Sequence, residues 1–295
     1  YLAVPNSGEI DATLTNAQWH FALAMLLIVI GSAPTSRWAR WFDYALFVVG
    51  GLTGPFCLFM APLIAIAWWM NRRPSWLLRL WIIDIAAAVI QLISLLYLSP
   101  HERSPQLGMD APLLARLIGG QIGLGLTVGS WGYALVAPHH FWQAGLAPWV
   151  VTIAVIAVFV VALLKAPWQL RLVIVFVAMQ LGGALFLGAG PQGIEAAWGA
   201  LATPTFGARY YVAPILALGC CLIWLATQAR WKAAQWLALS ALLLTLLVGI
   251  PHDWGYTPYQ DNHWRYYAAQ FDALPPGAQI AIPINPGWQL HLIKQ

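Results

Sequence analysis

The chain reads as a succession of apolar runs of membrane-spanning length, separated by short polar loops. A helix needs about 20 mostly apolar residues to cross a bilayer. Six stretches reach or approach that length: 14–32, 77–98, 147–165, 168–188, 208–228 and 232–250. Two more are interrupted. Residues 42–70 carry the break Gly51-Leu52-Thr53-Gly54-Pro55, with Pro62 beyond it, which predicts a helix-break-helix unit. Residues 111–129 contain Arg116 and five glycines, a composition poorly suited to facing lipid. The expectation there is an interfacial or re-entrant helix, shielded by protein or facing water. The pattern predicts an all-α polytopic membrane protein with about six full transmembrane helices, two broken or re-entrant segments and a small C-terminal α/β cap.

The cap is expected over 251–295, which is too polar to span, and residues 1–250 form the transmembrane helical domain. Within the cap, 262–273 reads as a short amphipathic helix bearing Trp264, Tyr267 and Phe271. Residues 279–284 and 288–293 read as two strands around a Pro286-Gly287 turn. No internal repeat of useful length is present, so the usual sequence pointer to an inverted-repeat transporter is missing. Residues 1–16 read as a loop, and no basic-then-apolar leader precedes the first helix. The sequence therefore looks like the C-terminal part of a longer protein.

Composition sharpens this picture. Hydrophobic residues make up 61% of the chain and charged residues 8%, against about 25% charged in an average soluble domain. Mean hydropathy is +0.71. Such a chain cannot cover a folded surface with polar atoms, so its partner is a lipid bilayer. The 18 tryptophans fit, because indole favours the headgroup level. The net charge of +4 does not point to nucleic acid, since the basic residues sit in short loops and act as topology signals. If both broken segments return to the side they left, Arg37, Arg40, Arg72, Arg73, Arg79, Lys165, Arg171, Arg230 and Lys232 share one face. Glu9, Asp11, Glu102, Asp110, Glu195, Asp253, Asp261 and Asp272 share the other. The basic face is assigned to the cytoplasm, which leaves 1–13, 99–146, 189–207 and 251–295 exterior. Cys57, Cys220 and Cys221 fall in apolar stretches without metal-ligand spacing and read as inert thiols.

The sequence holds no P-loop, no strand-borne GxGxxG, no HExxH, no GxSxG and no CxxC pair. What remains is a collection of polar residues near the exterior face. Glu9, Asp11, Asn16, Trp19 and His20 flank the start of the first helix. Carboxylates and amides can hold sugar hydroxyls while the indole packs on the ring. The plain alternative is a helix entrance with Thr15 or Asn16 as cap and Trp19 as an interface anchor. Arg209, Tyr210 and Tyr211 stand where a loop enters a helix, and an arginine there can grip a phosphate. Pairing with Glu195, or snorkelling to a headgroup, is the structural alternative. His139 and His140 read as loop packing. The spacing of His252, Asp253, Asp261 and His263 matches no tight metal pattern. No metal site is assigned and no cofactor is called for; only a divalent metal ion is left open. Asp84 lies inside an apolar run, a functional candidate by default, although a pair with a nearby arginine such as Arg79 is the structural expectation.

Several phrases together resemble the C-terminal half of bacterial glycosyltransferases of the GT-C type, polytopic enzymes that use polyprenyl-phosphate-linked sugars. They are LTNAQWHFAL (14–23), GLTGPFCLFMAPL (51–63), GARYYVAPIL (207–216) and INPGWQLHLIK (284–294). The resemblance implies sugar transfer on the exterior face of a bacterial inner membrane, from a lipid-linked sugar donor whose phosphate approaches Arg209. In that family the catalytic acid usually lies in the first exterior loop, a region the resemblance places ahead of this sequence; within it, Glu9 and Asp11 are the only acids placed to substitute. Two other readings stand beside it. One is a secondary transporter with a site near 51–63 and Asp84. The other is a non-catalytic subunit of an envelope polysaccharide assembly system.

Overall fold

The computed structural model describes residues 4–10, 16–72, 74–97, 107–186, 197–255, 260–284 and 288–295. The chain forms two compact units, 1–254 and 255–295.

The first unit is helical. It begins with α1 (Ala17–Ile30), α2 (Arg37–Thr53), α3 (Phe56–Met70) and α4 (Ser75–Tyr97). Next comes a helical run made of α5 (Ala111–Arg116), a π-helical stretch (Leu117–Leu124) and α6 (Gly125–Thr127). Short α7 (Gly129–Val136) and α8 (His140–Gln143) lead into α9 (Ala147–Lys165) and α10 (Trp168–Phe186). After α11 (Ala197–Leu201) and a 3-10 turn (Ala208–Tyr210) come α12 (Val212–Gln228) and α13 (Lys232–Leu244). A second π stretch (Thr245–Gly249) carries α13 into α14 (Ile250–Asp253).

By length and composition, four helices can cross a membrane: Ser75–Tyr97, Ala147–Lys165, Trp168–Phe186 and the continuous Lys232–Asp253. They bury little inside the unit; only 22% of the apolar window of α4 is enclosed. Its Ile82, Val89, Ile90, Ile93 and Leu96 are exposed, as lipid-facing side chains must be. This is a helical membrane protein. The other apolar helices, α1, α3 and α12, have 14, 15 and 17 residues. The first expected span, 14–32, is thus shorter than its apolar run, because Gly31 ends the helix. The last is longer, running through Pro251 to Asp253.

The interrupted stretch 42–70 breaks at Gly54-Pro55, between α2 and α3. The position of the break bears on function. A Cβ on Gly54 would lie 2.2 Å from Gln18 Oε1 in the first turn of α1. Gln91, late in α4, donates to the Leu52 carbonyl at 2.7 Å. The break therefore lies beside the start of α1 and the last turns of α4. The two glycines before it serve packing: a Cβ on Gly50 would meet Met25 of α1 at 2.6 Å, and one on Gly51 would meet Ala87 of α4 at 2.7 Å. Close helix approach of this kind is what small residues permit in lipid.

The glycine-rich stretch 111–129 is helical to Thr127 and buried on its glycine face. Any side chain on Gly119 would meet Pro148 and Thr152, on Gly123 Val151 and Val155, and on Gly120 the Tyr133 ring at 2.4 Å. The glycines are there for contact with α9 and α7. The i→i+5 winding of π-helix, which often marks functional sites, turns Gln121 inward, where it is wholly buried. It donates to the carbonyls of Leu201 at 2.9 Å and Thr203 at 2.7 Å, and accepts from Asn6 Nδ2 at 3.4 Å. Arg116, awkward for a lipid-facing helix, bonds Gln143 instead.

In the second unit, α15 (Trp264–Ala273) precedes strands β1 (Gln279–Ile284) and β2 (Trp288–Ile293). They form an antiparallel pair with Gln279 opposite Ile293 and Ile284 opposite Trp288. Gly277, at φ +84°, makes the turn before β1. Lys294 Nζ donates to the last carbonyls of α15, Phe271 at 3.2 Å and Asp272 at 3.0 Å, a favourable end for a cation. The Pro286-Gly287 turn expected between the strands lies outside the described residues.

Candidate functional site

The polar residues singled out near the start of α1 and the start of α12 converge. Arg209, in the 3-10 turn ahead of α12, forms an ion pair with Glu9 from the N-terminal loop. Glu9 also accepts from the Arg209 backbone N–H at 3.0 Å, so both of its oxygens are engaged by one residue. The guanidinium further donates to Tyr210 Oη at 3.2 Å and lies 4.8 Å from that ring. Burial works against the Arg209 charge, but Tyr210 and Glu9 outweigh it and raise its pKa above the ordinary arginine value. The Arg209 side chain is 35% exposed and Glu9 19%, so the pair is accessible yet shielded. The partner suggested for Arg209, Glu195, lies outside the described residues, as does Asp11.

The remaining members frame the pair. Asn16 donates to the Glu9 carbonyl at 2.7 Å, and His20 Nε2 meets the Ile10 carbonyl at 3.0 Å. These two bonds lash the N-terminal loop to α1. Asn16 makes no side-chain cap to α1. Trp19 packs edge-on against Tyr210 at 5.3 Å and Phe56 at 4.7 Å. Its buried indole N–H has no acceptor among the described residues. The cavity beneath Trp19 has a volume of only about 10 Å³, so the aromatic floor is closed. Gln180 of α10 anchors the turn by donating to the Tyr210 carbonyl at 3.1 Å.

Two features escaped the sequence reading. Asp253, at the end of α14, gathers four donors from two distant segments. Its Oδ2 accepts from the N–H of Asn6 at 2.6 Å and of Ser130 at 2.8 Å. Its Oδ1 accepts from Ser130 Oγ at 2.9 Å and the Trp131 N–H at 3.3 Å. It thus caps α7 from outside. Gly129, at φ +73°, is required twice, because a Cβ there would also fall 2.6 Å from the carboxylate. His252 packs edge-on against Trp131 with ring centroids 4.0 Å apart. The sequence offers Asp253 only as a metal candidate without ligand spacing, and the one local sign of a cap is Gly129 ahead of Ser130. The second missed residue is Gln121, a lone amide in a glycine-rich apolar run.

Asp84 is placed differently from the expectation. Among the described residues no arginine pairs with it. It is fully buried in α4, and neither carboxyl oxygen has a hydrogen-bond partner among the described residues. One turn further along α4, Ala87 and Ala88 form a small buried cluster with Cys57 of α3. A carboxyl group buried without a partner is destabilising whichever protonation state it holds. Asp84→Val, apolar and of similar size, is therefore expected to stabilise the protein by about 1–3 kcal/mol, read as a higher midpoint in denaturant. A lower midpoint would show that the carboxyl is bonded to water or an ion.

Among the described residues no three His, Cys, Asp or Glu side chains cluster as metal ligands. Asp261 turns back on the His263 N–H at 2.9 Å; His139 stacks on Phe141 at 5.7 Å. Cys57, Cys220 and Cys221 are free thiols. No family model, no curated protein and no solved structure matches this chain, so the geometry itself has to carry the functional reading.

Proposed function

We propose that the protein is a membrane glycosyltransferase that takes a sugar from a polyprenyl-phosphate carrier at the end of the bundle bearing Glu9 and Arg209. That end faces the exterior of a bacterial inner membrane. One observation carries this reading: a shielded arginine, paired with a carboxylate from a loop and set among Trp19, Tyr210 and Asn16. A phosphodiester offers Arg209 the same planar pair of oxygens as Glu9 does. The lipid phosphate then substitutes for the carboxylate on the guanidinium. The displaced Glu9 becomes free to take the proton of an acceptor hydroxyl, while Arg209 holds the leaving phosphate as its charge develops. Tyr210 supplies a ring face for the sugar, and the buried Trp19 packs edge-on against it from within the bundle.

The transporter reading draws on broken helices at midplane, and the break at Gly54-Pro55 lies beside the first turn of α1, which weakens it. The test is reconstitution of the full chain in liposomes with a polyprenyl-phosphate sugar and a soluble glycoside acceptor. Release of polyprenyl phosphate coupled to acceptor glycosylation is expected. Proton-coupled solute uptake without transfer, lost in Asp84→Asn, would replace this reading with transport.

A further inference from the structure

Away from the Glu9–Arg209 pair, a cleft of about 350 Å³ opens between the end of α5, the α7–α8 region and the segment around α11. This volume falls within the size range of small-molecule sites. Its one charged lining residue is Arg116. Arg116 Nη1 donates to Gln143 Oε1, and Gln143 Nε2 is itself held by the Ala137 carbonyl at 2.6 Å. The guanidinium is thus fixed by a neutral amide rather than balanced by an acid. Among the described residues no carboxylate pairs with it, and its buried Nε has no acceptor. Tyr133 stands beside it, its hydroxyl donating to the Ala202 carbonyl at 2.7 Å, which leaves the phenol oxygen as an acceptor only. The opposite wall is Thr203 with Gly199.

A positioned guanidinium that lines a cleft with no described carboxylate beside it is a receptor for an anion. We propose that this cleft binds a phosphate-class anion on Arg116. The phosphate belongs either to an anionic lipid headgroup or to a water-soluble phosphate compound. The inference does not rest on the transferase reading, and Arg209 is intact in both variants below. Any binding at that pair is common to all the proteins compared.

The test uses the purified full chain in detergent, titrated with inorganic phosphate against chloride at equal ionic strength. A second arm uses nanodiscs of phosphatidylglycerol against phosphatidylcholine. Thermal unfolding is the readout. Arg116→Gln removes the charge. Gly199→Leu fills the cleft and leaves the charge in place; a Cβ on Gly199 meets nothing within 4 Å, so this variant has room to fold. The expected result is stabilisation of the unmodified protein, with apparent affinity weakened at least tenfold in both variants. A response to inorganic phosphate identifies a soluble ligand, and a response to phosphatidylglycerol alone identifies a headgroup. Unchanged affinity in Gly199→Leu, or no response in either arm, overturns the proposal.

Discussion

Arg209→Ala is expected to lower sugar transfer by two to three orders of magnitude while leaving the bundle folded. That is the usual scale for removing a donor aimed at charge that develops in the transition state. The loss should fall on kcat as well as on the donor KM, because the guanidinium holds the leaving phosphate as well as the bound lipid. Arg209→Lys should recover little, since an ammonium cannot offer the planar fork that a phosphodiester meets. The fold should survive because α12 is anchored elsewhere. Tyr211 is buried and donates to the Leu201 carbonyl at 3.1 Å, and Gln180 holds the Tyr210 carbonyl. Transfer by Arg209→Ala at the unmodified rate, measured on protein with an unchanged melting profile, would rule out the proposed role.

The second large effect is on stability. Asp253→Ala removes the acceptor for three backbone N–H groups and one hydroxyl in a single change. Hydrogen bonds to a charged group contribute more than neutral ones, and the stranded amides lose their partners at once. Water can replace part of this at a half-buried site, so the expected cost is about 3 kcal/mol. Asp253→Asn should cost less, since its single carbonyl oxygen can still serve Ser130. A double-mutant cycle with Ser130→Ala should show strong coupling, because both substitutions break the same cap. Additive effects would mean that Asp253 acts through its charge and not through these bonds. The N-terminal loop reports independently: proteolysis near Asn6 should accelerate in Asp253→Ala.

How much of this was legible beforehand depends on the range of the interaction. Residues 147–165 announce a helix because Pro148 suits its first turn and Ala166-Pro167 ends it, and the helix occupies those residues. Strands at 279–284 and 288–293 were readable from apolar runs between proline- and glycine-rich turns, and both have those bounds. Two sets of site candidates, Glu9 to His20 and Arg209 with Tyr210, were readable as residue types. Their union was not. Glu9 and Arg209 are 200 positions apart, and no local pattern says that two loops meet. The Asp253 cap is equally non-local. The glycines of 111–129 mark a stretch shielded by protein, and its glycine face is buried. Composition does not say which elements do the shielding: α7 and α9 approach closely, against a helix that contains a π turn.

The brevity of three helices has a further consequence for the surrounding lipid. At about 1.5 Å per residue, α1, α3 and α12 reach only about 21–26 Å, against a hydrocarbon layer of about 30 Å. All three contribute walls to the small cavity under Trp19, so they stand together at the candidate site. A bilayer meeting such a patch thins to match it. Under the proposed function, a headgroup plane drawn down beside Arg209 brings a polyprenyl phosphate to the arginine without pulling it out of its leaflet.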